Sequence, residues 1–113
     1  MTRPLTVAVY SLELGRYACA RLRFLDPSRV LRGRLRLVWG ARSDGKNYAL
    51  DPAPMDEADV VAFQRCFPMR ETWPLVERAL SSGKPVVYDV DDHFEAMPPD
   101  HPMAGNMARV LPY

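Results

Sequence analysis

A chain of 113 residues with a formal net charge of +1 makes one domain with a core of its own, and its near neutrality argues against nucleic acid as the main partner. Cys19 and Cys66 stand in no metal-ligand spacing, and no stretch reads as a signal or a long apolar span, so a reduced, soluble, cytoplasmic protein is expected. The balance hides an asymmetry: residues 16–42 carry Arg16, Arg21, Arg23, Arg29, Arg32, Arg34, Arg36 and Arg42 against Asp26 alone. Such a stretch suits a solvated edge strand and helix face whose arginine stems cover apolar surface, or a site for phosphate groups or anionic lipid head groups.

In chain order, Leu5 to Ser11 is an apolar, β-rich run that predicts a buried strand, followed by the turn Leu12-Glu13-Leu14-Gly15. Asp26-Pro27 predicts a helix start, with Asp26 capping and Pro27 in the first turn, and Gly33 ends that helix early. Arg34 to Trp39 alternates polar and apolar, the pattern of a strand at a sheet edge. Residues 42–58 are turn-rich, with room for one helical turn near Met55 to Ala58, and Asp59 to Arg65 is the next strand. A helix over Thr72 to Ser82 follows from Trp73, Val76, Ala79 and Leu80 sharing a face, with Pro74 in its first turn and Gly83 as its stop. Pro85 to Val90 reads as a buried strand, and Met103 to Leu111 as the start of a last helix.

Strands joined by crossovers rather than tight hairpins predict a parallel sheet with helices on both faces. The expected fold is therefore a three-layer α/β sandwich of Rossmann type, with about four strands in the order second, first, third, fourth. That order gathers the carboxyl ends of the first, third and fourth strands, where open parallel sheets bind ligands. The residues there are Tyr10 to Gly15, Gln64 to Phe67, and Asp89 to Phe94. Asp89 and Asp91 share one face of the last strand, opposite Val86, Tyr88 and Val90. Two like charges on one face need a positive group between them, for which a divalent metal, Arg65, Arg21 and Arg23 are the candidates.

The first strand ends in Val9-Tyr10-Ser11-Leu12 with no carboxylate before Glu13, which disfavours a magnesium site of the phosphatase or receiver kind. Its turn holds Gly15 alone where a dinucleotide loop wants three glycines. The acidic cluster is left to bind the hydroxyls of a sugar-like ligand, or to cap a helix and pair with arginines.

The stretch Ala58-Asp59-Val60-Val61-Ala62-Phe63-Gln64-Arg65, the helix ending at Gly83-Lys84-Pro85, then Val86-Val87-Tyr88-Asp89-Val90-Asp91-Asp92 and Pro98-Pro99-Asp100-His101-Pro102 resemble the amino-terminal domain of GT-B type glycosyltransferases of the group-1, family 4-like kind. The most specific element is Gln64-Arg65 on one strand with the run from Val86 to Asp92 on the next. The resemblance implies an acceptor-side domain facing a carboxy-terminal domain that binds the nucleotide-sugar donor. It implies that this domain binds no cofactor or metal by itself and is inactive alone, and it places Gly15, Arg16, Gln64, Arg65, Asp91, Asp92 and His93 along the cleft. Asp91, Asp92 and His93 are the candidates for a general base.

The partners expected on this reading are a sugar or glycolipid acceptor, the missing second domain, the inner face of a membrane through peripheral contact, and a second copy of the chain through exposed apolar surface near Met97, Met103 and Met107. The contrasting expectation is a free-standing α/β module that binds an acidic partner through its arginines. His93 and His101 read as loop residues, Cys19 and Cys66 as small buried hydrophobes, Trp73 as a core anchor, and Trp39 as a surface or interface residue.

Overall fold

The computed structural model describes residues 2–12, 18–43, 47–65, 67–90, 96–102 and 104–107. Strand β1, Leu5–Tyr10, is central, and it pairs in parallel with β2, Leu35–Trp39, on one side and with β5, Val60–Gln64, on the other. Strand β6, Val86–Asp89, joins β5 in parallel and completes a four-stranded sheet of order β2-β1-β5-β6. This is the Rossmann-like α/β sandwich, with the strand order, that the crossover pattern predicts.

Period-two alternation divides β1 and β5 between two helical layers. Ala8 and Tyr10 of β1 and Val61 and Phe63 of β5 form one buried cluster with Met55 of α3, Ala53–Glu57, with Ala58 just past its end, and with Val76 and Ala79 of α4, Trp73–Ser81. Three aromatic rings anchor it: Tyr10, Phe63 and Phe67 lie 5.3–5.7 Å apart, with Phe63 and Phe67 stacked. Thr72, itself buried, bonds the Phe67 carbonyl and accepts from the Met69 amide at 3.2 Å, which fixes the loop that delivers Phe67. The Lys84 ammonium then donates to the carbonyls of Met55 and Asp56 at 2.6 and 2.7 Å, and Arg78 pairs with Asp56, so α3 is tied to α4 and to the turn that follows it.

The opposite face is covered by a helix that begins earlier than the sequence suggests. It runs as α1, Ala18–Ala20, a π-helical segment, Arg21–Leu25, and α2, Asp26–Val30, with helical dihedrals at both junctions. Asp26 is therefore inside a helix and caps nothing; it pairs with Arg21 and Arg29. The physical reason is Pro27, which cannot donate to a carbonyl four residues back and crowds it. The wider π turn, in which the Asp26 amide bonds the Arg21 carbonyl, carries the chain past the proline without ending the helix.

Three further departures matter. Residues 41–50 contain an antiparallel pair, β3, Ala41–Ser43, with β4, Tyr48–Leu50, where only turns are legible in the sequence. Leu80 is exposed on α4, and Leu75 packs against the core in its place. Strand β6 is an edge strand and not a buried one: Val87, Tyr88 and Val90 are each more than 40 % exposed. Helix α4 keeps its expected start and stop, with Pro74 in its first turn and Gly83 at φ +77° after its end. The last helix is described over Ala104–Met107 as α5, and the rest of the predicted segment lies outside the described residues.

Candidate functional site

The carboxyl ends of β1, β5 and β6 carry one continuous polar row. Ser11, just past β1, donates its hydroxyl to Gln64 Oε1 at 2.9 Å. Gln64 Nε2 donates in turn to Asp89 Oδ2 at 3.1 Å, and the Arg23 Nε lies 3.5 Å from Asp89 Oδ1. The row is built by the sheet register: Gln64 and Asp89 are direct partners in the β5–β6 ladder, so their side chains leave the same face side by side. That face is the one covered by residues 18–30, which is why Arg23 can reach over it. Of the positive groups available to the carboxylates in the sequence, the structure brings Arg23 to Asp89.

Ser11 and Gln64 are 3 % and 1 % exposed, so both ends of the Gln64 amide are committed inside the protein. Burial makes an unpaired amide costly, and Gln64 has a donor for its oxygen and an acceptor for its nitrogen. It acts as the residue that orders Ser11 and Asp89, leaving the half-buried Asp89 and Arg65 and the exposed Arg23 nearer the surface. In the sequence Ser11 and Asp89 fall at this end of the sheet, Asp89 as one of two like charges on the last strand, and neither is among the expected cleft residues. The signal that identifies them is the polar–polar register across three strand ends.

Arg65 follows β5 with φ of +51°, a left-handed conformation that side-chain-bearing residues rarely adopt. The surroundings hold it there: its amide donates to the Asp89 carbonyl at 2.8 Å, its carbonyl accepts from the Tyr88 hydroxyl at 2.7 Å, and its guanidinium reaches Cys19 Sγ at 3.3 Å. Cys19 is accordingly half-buried beside a cation and is not the closed-in hydrophobe expected. Cys66 and five of the expected cleft residues, Gly15, Arg16, Asp91, Asp92 and His93, lie outside the described residues.

A concavity opens at the carboxyl end of β2. A pocket of about 220 Å³ is lined by Trp39, Gly40, Arg42, Ala49, Leu50 and Asp51. Its floor is fixed to the core. The Tyr10 hydroxyl donates to the Asp51 carbonyl at 2.8 Å, and Gly40 must be glycine because a Cβ there would stand 2.2 Å from the Tyr10 ring. Burial pushes the Tyr10 phenol up to about 12, so it stays a neutral donor at any physiological pH.

At the opposite end of the sheet, Asp59 accepts from the Thr6 amide at 2.9 Å and from both terminal nitrogens of Arg3. The Arg3 hydrogen bonds and the Thr6 amide hold the Asp59 carboxyl down at about 2. This clamp lies away from the strand ends that bind ligands in such folds, and it reads as structural. Among the described residues no group of three or more acidic, histidine or cysteine side chains is arranged to hold a metal, and no helix is long and apolar enough to cross a membrane.

No family model, curated protein or solved structure matches this chain. The site must be read from its own chemistry, since a Rossmann-like fold alone hosts many functions.

Proposed function

We propose that this chain is the acceptor-side domain of a sugar-nucleotide-dependent glycosyltransferase of the GT-B type, working in polysaccharide or glycolipid synthesis on the cytoplasmic side and inactive without a second, donor-binding domain. The observation that supports the reading is the row Ser11–Gln64–Asp89–Arg23, placed where parallel sheets bind ligands, in which buried Ser11 and Gln64 fix the accessible Asp89 carboxylate, an acceptor for hydroxyl protons, beside Arg23. Glycosyl transfer needs an acceptor hydroxyl aimed at the anomeric carbon as positive charge develops on the donor sugar and negative charge on the departing phosphate. On this reading Asp89 and the neighbouring Asp91 and Asp92 accept from acceptor hydroxyls, Arg23 and Arg65 balance their charge, and Asp91, Asp92 or His93 takes the hydroxyl proton. The leaving phosphate is stabilised from the donor-binding domain.

The test is a titration of the labelled chain with candidate glycans, followed through backbone amide shifts. Saturable shifts at Gln64, Arg65 and residues 89–93 are expected with at least one hydroxyl-rich acceptor. Silence at these amides with every glycan tried overturns the reading.

A second reading is supported by the arginine stretch. Arg32, Arg34 and Arg36 are all exposed, and they stand beside Val30, 83 % exposed, and Leu31. Three cations flanking an exposed apolar pair suit an acidic protein partner. Replacing all three arginines with alanine then abolishes partner capture at low salt, and unchanged capture overturns it.

A further inference from the structure

We propose that the pocket at the end of β2 is a binding subsite for a single sugar ring bearing a carboxylate, a uronic acid unit of the acceptor. The proposal deepens the acceptor reading above and rests on it for the sugar chemistry, while the pocket itself stands on independent residues.

Three features of the lining select this ligand. Trp39 contributes a half-buried aromatic wall, and a flat apolar face suits the C–H face of a pyranose as well as it suits any small ring. Arg42 is exposed at the rim and forms no ion pair among the described residues; its planar fork matches a carboxylate through two parallel hydrogen bonds. Asp51 lines the same space as an acceptor for hydroxyl protons. Its presence beside Arg42 disfavours a multiply charged phosphate, which it would repel, and favours a ring that offers one negative charge and several hydroxyl donors.

Size and rigidity agree. Pockets for drug-sized ligands run to about 300–1,000 Å³, so a pocket of about 220 Å³ is suited to one ring rather than an extended chain. Its walls are preorganised: the Asp51 amide donates to the Gly40 carbonyl at 2.8 Å, the Gly40 amide to the Val9 carbonyl at 2.9 Å, and Asp51 Oδ1 accepts from the Ala53 amide at 3.0 Å. Arg42 and Ala49 are register partners in the β3–β4 pair, which sets the guanidinium on a strand and not on a free loop. A ligand entering such a site spends little of its binding energy on ordering the protein.

The experiment uses Trp39 as its reporter. The chain has two tryptophans, so Trp73→Phe leaves Trp39 as the sole emitter. Titration with glucuronate is expected to give a saturable change in Trp39 emission, with the midpoint at least tenfold higher for glucose and for the Arg42→Ala variant in the same background. Arg42→Lys, which keeps the charge and loses the fork, is expected to fall between. Circular dichroism of each variant checks that it folds. No saturable response to glucuronate, an unchanged midpoint in Arg42→Ala, or an equal response to inorganic phosphate overturns the proposal.

Amide shifts recorded on the same samples separate its failure from that of the acceptor reading. A glycan that moves the Gln64 and Arg65 amides while Trp39 stays silent overturns the subsite alone. Glucuronate bound at Trp39, with no glycan acting at Gln64 and Arg65, supports the subsite and counts against the acceptor cleft.

Discussion

Gln64 and Asp89 face each other across adjacent strand ends, the amide nitrogen of one donating to the carboxylate of the other at 3.1 Å. The pair joins the buried interior to the half-exposed rim of the sheet. Ser11 lies on one side of it and Arg23 on the other, so a change at Gln64 is felt along the whole row.

Replacing Gln64 with leucine keeps the volume and removes both hydrogen bonds, leaving the Ser11 hydroxyl without its acceptor. A loss of about 1–3 kcal/mol is expected in urea unfolding. Gln64→Glu sets a second carboxylate against Asp89. Its stability deficit should be largest at neutral pH and shrink on acidification, as the pair takes up a proton and the like-charge repulsion is relieved.

Arg65 can be tested through its backbone. Arg65→Gly removes the guanidinium from the rim while relaxing a left-handed residue, so its stability should stay within about 1 kcal/mol of the parent. Arg65→Val, β-branched in the same conformation, should be clearly less stable in thermal melts. A loss of glycan-induced amide shifts in the glycine variant would then report on binding and not on folding.

The Asp59 clamp gives a pH signature. Its carboxyl sits at about 2 instead of the ordinary 3.8, so its contribution to stability is fully present above about pH 4. The contribution is lost as pH falls through the folded value. Comparing the parent with Asp59→Asn should show a stability difference that is constant at neutral pH and vanishes between about pH 4 and pH 2. A difference that persists unchanged at pH 2 would refute the assignment.

The contact between Gly40 and Tyr10 separates two effects. Tyr10→Phe deletes one hydrogen bond to the Asp51 carbonyl and should cost about 0.5–1.5 kcal/mol. Gly40→Ala forces the ring to move and should cost about 1–3 kcal/mol, a larger drop in melting temperature although only one methyl group is added.

On α4, Val76→Ala removes buried volume and should cost about 1–3 kcal/mol, whereas Leu80→Ala should fall within about 0.5 kcal/mol of the parent. The reverse ranking would place Leu80 in the core.

Leu80 also shows where the sequence misleads. Its spacing from Val76 and Ala79 suits a helix face, but the face that meets the sheet is set by where Phe63 and Tyr10 already stand, and Leu75 fills the remaining contact. Strand order was legible because alternation in Arg34 to Trp39 marks an edge and the apolar runs of β1 and β5 mark the interior, whereas the apolar run from Val86 to Val90 misled on burial and forms the other edge. The strands β3 and β4 were not, since three residues cannot display a period and turn residues surround them. Pro27 misled as well: a proline read as a helix start sits mid-helix, where a π turn accommodates it. At the site, strand-end logic located Gln64 and Asp89 and named Arg23 among the balancing charges. The bond between Gln64 and Ser11 needed the register of β1 against β5, which no local pattern carries.

The two borders of the sheet are chemically unlike. On the β2 side, Arg34 and Arg36 are exposed and flank Leu35, the kind of charge that blocks edge-to-edge association. On the β6 side Val87 is exposed on the face that also carries Asp89 and Arg23, and Tyr88 and Val90 are exposed on the other. In β6 the carbonyls of Pro85 and Asp89 accept from Val61 and Arg65, so parallel alternation turns the amides and carbonyls of Val86, Tyr88 and Val90 outward. An added strand would therefore find a matching row of backbone groups beside β6, whereas the exposed arginines of β2 would oppose one.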